Sequence, residues 1–191
     1  MATVETARMT AEEFWEWCGR PENQGKRAEL VRGEIVEMPP PGELHGILCW
    51  WIGYLLGMYV VRRGRGALAT NDTGLIVEEG PDTVRAPDVI LFGESRALDK
   101  LSRRHSTRLP ELVVEVLSPT DRWTRVLRRV DQYQARGVPL VWVVDDEERS
   151  VTVFRPKEHP QLVEEDGELT GNGVLEDFRL PLAELFRLPG T

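Results

Sequence analysis

The chain has 191 residues, with 24 Lys+Arg against 32 Asp+Glu and a formal net charge of −8 when histidine is neutral. That is the length of one domain, and 41% hydrophobic with 29% charged residues supplies both a core and a wet surface, which excludes a disordered or fibrous chain. The acidic balance excludes a protein that holds nucleic acid by bulk charge, because nonspecific affinity for phosphates comes from Lys and Arg; any such contact has to be local or transient.

The basic residues are nearly all arginine, with lysine only at Lys26, Lys100 and Lys157, so a mechanism that needs a deprotonated lysine has few candidates. Two cysteines, Cys18 and Cys49, are too few for a disulfide scaffold and are read as having no second pair or histidine at metal-ligand spacing. Buried thiols in a reducing cytoplasm are the expectation.

The opening MATVETARMTAEEF carries Glu5, Glu12 and Glu13 and no apolar run, the pattern of neither a secretory signal nor a basic transit peptide, so no export is expected. Thr10 followed by Glu13 forms a capping box and predicts a short helix from about Ala11 to Cys18, broken by Pro21 to Gly25. RAELVRGEIVEM alternates apolar and polar on both sides of Arg32-Gly33, which predicts a β-hairpin ended by Pro39 to Pro41. His45 to Val61 carries no formal charge and would extend roughly 26 Å as a helix, just short of the ~30 Å that a membrane core requires. Gly53 and Gly57, at GxxxG spacing, suit a lipid-embedded dimer or a helix lying close on a sheet. A buried core helix with no membrane contact is the expectation, since one span between strand-rich flanks makes little topological sense. A strand from about Gly74 to Glu78 follows, stopped by Gly80-Pro81.

Three apolar runs come next, APDVILF, LPELVVEVLSP and VPLVWVVDD, each short enough to be a central strand. Between the second and third, Trp123, Val126, Val130 and Tyr133 recur at helical spacing, and Gly137 ends that helix. Strand, helix and strand make a crossover that sets two strands parallel. SVTVF then pairs back through DDEERS as a hairpin, and the tail ends in a short amphipathic LPLAELF. One α/β domain with a mixed sheet is predicted, in which Trp50, Trp51 and Trp123 are core residues and Asp145 and Asp146 belong to a turn.

Two carboxylates interrupt the apolar strands. Asp88 opens a strand after Pro87, and Glu115 lies inside LVVEVL, where a charge is excluded unless paired or bound to a cation. By the period of two, Val113, Glu115 and Leu117 share one face and Leu112, Val114 and Val116 the other. If the two strands are neighbours, Asp88 and Glu115 converge and repel unless a divalent cation lies between them, and hard oxygen donors suit Mg²⁺ or Mn²⁺. Glu115 could equally pair with Arg129 or Arg125 as a buried structural ion pair.

APD, the buried EVLSP, the helix with Tyr133 and GVPLVWVVDDEERSVTVF, together with TAEEF, AELVRGEIVEMPPP before His45 and the closing LPLAELF, resemble the Uma-two family of restriction-endonuclease-like proteins, a branch of the PD-(D/E)XK nuclease superfamily. The resemblance covers nearly the whole chain. It implies a restriction-endonuclease-like mixed β-sheet flanked by helices as a single domain over 1–191, with an N-terminal helix and hairpin (10–38), a core (43–155) and a tail (156–191). It implies that Asp88 and Glu115 bind the metal, that Glu29 lies near the site as a further carboxylate, and that His45 stands at the start of the long helix beside it. The superfamily lysine would fall at Leu117, or in this branch four residues before the tyrosine, where Arg129 stands. Arginine neutralises charge on a phosphorane but is a poor proton shuttle, which leaves proton transfer to water or His45.

Two basic clusters could follow a phosphate backbone: Arg96, Lys100, Arg103, Arg104, His105 and Arg108 in the loop between the carboxylate strands, and Arg122, Arg125, Arg128, Arg129 and Arg136 on the helix. The second cluster reads equally as a solvated helix face. The expectation is a cytoplasmic, Mg²⁺-dependent (or Mn²⁺-dependent) DNA endonuclease that hydrolyses phosphodiester bonds, acting as a homodimer because cutting both strands takes two sites. Its alternatives are a catalytically silent relative that binds nucleic acid or protein, and a domain in which Glu115 is merely ion-paired.

Overall fold

The computed structural model describes residues 8–190; the export reading at Glu5 lies outside the described residues. Thr10 caps the first helix, α1 (Ala11–Gly19): its hydroxyl accepts from the Glu13 N–H at 3.2 Å while the Glu13 carboxylate accepts from the Thr10 N–H at 2.7 Å. The hairpin follows as β1 (Arg27–Val31) and β2 (Glu34–Met38), joined by Arg32 and Gly33 at φ 52° and 80°. Two successive left-handed residues give the turn whose twist matches paired strands, and glycine takes the second without strain.

After the prolines runs the long helix α2 (Glu43–Arg63), then β3 (Ala67–Ala69), β4 (Leu75–Glu78), β5 (Thr83–Arg85), β6 (Val89–Phe92) and β7 (Leu112–Val116). The helix α3 (Trp123–Arg136), capped by Gly137 at φ 103°, leads to β8 (Val141–Asp145) and β9 (Ser150–Phe154). The tail holds β10 (Gln161–Val163), β11 (Glu168–Thr170), β12 (Arg179–Pro181) and α4 (Leu182–Leu185).

The fold is the expected mixed α/β class. Six strands form the main sheet in the order β10-β9-β8-β7-β6-β3, in which β7 and β8 are parallel through the α3 crossover and the other neighbours are antiparallel. A four-stranded sheet, β2-β1-β5-β4, carries α1, and β11 pairs with β12. Alternation along the central strands divides the interior in two. Val89, Leu91, Val114 and Trp142 face α2 and the C-terminal segment, whereas Ile90, Val113, Val141 and Val143 face α3 and β4.

Two expectations need correction. The helix α2 is long and apolar enough to cross a membrane by length and composition, yet it is not buried all round: Leu48, Ile52, Leu56 and Tyr59 pack inward, while Trp50, Tyr54, Met58 and Val61 are exposed. Its buried aromatics find polar partners in the tail, Trp51 Nε1 donating to the Glu184 carbonyl at 3.0 Å and the Tyr59 hydroxyl to the Glu176 carbonyl at 2.9 Å. Trp50 and Trp123 are therefore surface residues, and of the three tryptophans only Trp51 belongs to the core. β3, β5 and β10 to β12 escaped the sequence because three residues are too few to show alternation.

Since only one face of α2 carries packing energy, Leu56→Ala is expected to lower stability by about 2–5 kcal/mol in urea denaturation. Val61→Ala, at a position 77% exposed, should stay within about 0.5 kcal/mol. Equal losses would mean that the helix packs through a different face.

Candidate active site

Glu115 lies within β7, and Asp88 immediately precedes β6, the neighbouring strand. Val89, the first residue of β6, pairs with Val114 across the antiparallel β6–β7 ladder, which ends one residue short of Asp88 and Glu115. Glu115 lies on the face of β7 that carries Val113 towards α3, while the Asp88 carboxylate reaches towards α2. Asp88 Oδ2 accepts from the Val116 N–H at 2.7 Å, which fixes this carboxylate against the end of β7.

Glu115 is 5% exposed. Burial, opposed by the Arg129 guanidinium and reinforced by the Asp88 charge, pushes its pKa up to about 7. Tyr133, fully buried on α3, donates its hydroxyl to Glu115 Oε1. Arg129 Nε lies 3.2 Å from Glu115 Oε2, and Arg129 Nη2 lies 3.4 Å from Asp121 Oδ1. The Arg129 Nε–H is buried without an aligned acceptor, so its contact with Glu115 is an ion pair with no formed hydrogen bond. Glu115 raises the pKa of Arg129 further, and this guanidinium stays charged. Glu115 is thus paired with Arg129, as one sequence reading held, while the Asp88 charge also acts on it.

Glu29 comes from the smaller sheet and spends both oxygens on structure. Oε2 accepts from Arg85 Nη1 at 2.6 Å and Oε1 from the Ala86 N–H at 3.0 Å. Arg85 Nε continues to Gln132 Oε1 at 2.8 Å, and Gln132 Nε2 to Glu78 Oε2 at 2.8 Å. This chain of buried polar groups ties β1, β4, β5 and α3 together two residues before Asp88. Arg85, Gln132 and the Tyr133 hydroxyl had no assigned role in the sequence, because their partners lie 18 to 56 positions away.

His45, in the first turn of α2, points Nε2 at Asp88 Oδ1, 3.4 Å away. That hydrogen bond, more than burial opposes it, raises the His45 pKa. Its Nδ1 lies 3.4 Å from Cys49 Sγ, so the expectation that neither cysteine has a histidine at ligand spacing is corrected: one helical turn joins them.

Glu29, His45, Arg85, Asp88, Glu115 and Arg129 line a cleft of about 660 Å³ that also takes in Arg125 and Arg128. The structure does not bring Arg103 and Arg104 to it. Their loop joins the far ends of β6 and β7, where Arg104 pairs with Glu12 of α1 and Arg103 is exposed. His105 leaves the basic patch altogether, stacking on Phe14 at 5.3 Å with its pKa lowered by burial.

The donor set fits a hard divalent cation. Asp88 and Glu115 offer hard carboxylate oxygens in one cleft, and the repulsion by which Asp88 helps raise the Glu115 pKa is what a divalent cation would relieve.

Among solved structures, the chain resembles the crystal structure of a "putative nuclease" from Anabaena variabilis, with 20% sequence identity, coverage of 93% of this chain and 97% of that one, and a TM-score of 0.77. At that identity the likeness speaks for the fold. No curated protein matches the chain. The family described as "Putative restriction endonuclease", Uma2, matches residues 11–183, and the chain belongs to that family.

Proposed function

We propose that this protein is a metal-dependent endodeoxyribonuclease that hydrolyses phosphodiester bonds at Asp88 and Glu115. The observation that supports the reading is that both carboxylates line one arginine-lined cleft, close enough for the Asp88 charge to act on Glu115. Asp88 and Glu115 would hold Mg²⁺ or Mn²⁺, which when bound polarises a phosphate oxygen and supplies a hydroxide at neutral pH. Tyr133 fixes one oxygen of Glu115, and Arg129 keeps a positive charge beside the other. Glu29 acts as a positioning residue, holding the Ala86 N–H and thereby the start of β6. His45, hydrogen-bonded to Asp88, is the group next to the carboxylates able to exchange a proton near neutrality, so proton delivery to the leaving oxygen falls to it. Arg125 and Arg128 receive flanking phosphates. DNA bound weakly or transiently, a homodimer cutting both strands and a cytoplasmic location complete the proposal.

The contact between Arg129 and Glu115 favours a second reading, a silent relative that binds without cutting, because the guanidinium occupies one side of the carboxylate. Calorimetric titration with Mn²⁺ separates these. The wild type is expected to bind, and Asp88→Ala and Glu115→Gln to weaken binding roughly tenfold or more; no heat in the wild type removes the hydrolase. Arg129→Ala should cut plasmid-nicking rates by about 10²–10³. Cleavage by Arg129→Lys that the wild type lacks would establish the silent relative instead. Glu29→Ala strands Arg85 as a buried unpaired charge, and thermal denaturation should register a loss of about 3–5 kcal/mol.

A further inference from the structure

The side chains on the α2 side of Asp88 differ in chemistry from the carboxylate pair. His45 and Cys49 project from one face of the helix, with Cys49 Sγ 3.4 Å from His45 Nδ1, and Asp88 Oδ1 lies 3.4 Å from His45 Nε2. One ligand atom from each of the three lies within 4.8 Å of the other two. All three also line a second cavity of about 480 Å³, walled by Trp50 and Tyr54 on α2 and by Asn71 opposite. An imidazole, a thiol and a carboxylate together are a borderline-soft donor set, which Mg²⁺ does not seek and Zn²⁺ does.

We propose that His45, Cys49 and Asp88 form a three-ligand site for a borderline-soft divalent cation of the Zn²⁺ type, with its fourth position open to the cavity. Around a tetrahedral ion with bonds of about 2.0 Å to nitrogen and oxygen and about 2.3 Å to sulfur, ligand atoms stand roughly 3.3–3.7 Å apart. The two 3.4 Å separations run to different ring nitrogens of His45, so a single ion meets one of them, and side-chain rotations of Cys49 and Asp88 bring in the rest of a set whose ligand atoms already lie within 4.8 Å of one another. One ring nitrogen ligates, the other keeps a hydrogen bond that orients the imidazole, and the Cys49 thiol gives up its proton to solvent as the Cys49 sulfur binds. Two ligands one turn apart on a rigid helix leave little to order.

The site shares Asp88 with the carboxylate pair, so the soft cation would draw Asp88 away from Glu115 and suppress binding of the hard one. That competition, unlike the site itself, rests on the function proposed above.

Titration of the full chain with Co²⁺ in a non-thiol reductant tests this by absorption. The wild type and Cys18→Ser are expected to show a near-ultraviolet thiolate-to-cobalt band that saturates at one equivalent and is bleached by Zn²⁺. The band should vanish in Cys49→Ser, and Co²⁺ affinity should fall roughly tenfold or more in His45→Ala and Asp88→Asn. Glu115→Gln should keep the band while losing the Mn²⁺ heat, which distinguishes failure of this site from failure of the hydrolase reading. Zn²⁺ should also protect Cys49 of the Cys18→Ser protein from alkylation, a readout that needs no change at the site. No charge-transfer band in the wild type, a band that survives Cys49→Ser, or unchanged affinity in both His45→Ala and Asp88→Asn would overturn the proposal.

Discussion

Burying the carboxylate of Glu115 in the central strand of a six-stranded sheet is the costliest choice in this molecule, because an ionised group away from water needs charge and hydrogen bonds brought to it. Much of the surrounding structure answers that need. The α3 crossover, which the parallel β7–β8 pairing requires, passes directly over Glu115 and supplies both Arg129 and Tyr133 from one face, four residues apart. The partnership is incomplete, since Arg129 Nε is near without being aligned and the opposing Asp88 adds a second negative charge. A fully satisfied structural ion pair would leave neither feature.

Asp88 is set from the other direction. The four-stranded sheet sends Glu29 to the Ala86 backbone, and the same carboxylate anchors Arg85, which continues through Gln132 into α3. Both sheets and the crossover helix are thereby locked to one another just where β6 begins. The position of Asp88 thus depends on buried polar contacts between elements, and a polar chain of this kind loses its value when any member is removed.

The central strands, the crossover helix and both hairpins were legible because each is long enough for its period to show and is punctuated by Gly or Pro. Asp88 and Glu115 are legible as charges that interrupt apolar runs, whereas the Asp88 contacts with His45 and the Val116 N–H come from elements remote in sequence. Arg103 and Arg104 are near the carboxylate strands in sequence but far from the site, because an antiparallel connection leaves from the opposite end of the ladder. Cys49 stands one helical turn after His45, a spacing that brings the two together only because the segment is a helix. Glu29 was legible as a residue near the site, but only its partners 56 and 57 positions later reveal that both oxygens are committed.

Charge in the cleft bears on how an acidic chain could hold a polyanion. The lining counts five arginines and five carboxylates, so the bare cleft is close to neutral despite its arginines. Arg27, Arg85 and Arg129 are paired with Asp72, Glu29 and Glu115, whereas Arg125 and Arg128 make no ion pair among the described residues. Two free arginines at the rim give a phosphate chain little to grip at physiological salt. A divalent cation between Asp88 and Glu115 would shift that balance by two charges, in a desolvated site where charge is weakly screened. On the function proposed here, the same ion would therefore govern both hydrolysis and retention of the substrate, so that affinity for DNA follows occupancy of the metal site rather than the composition of the surface.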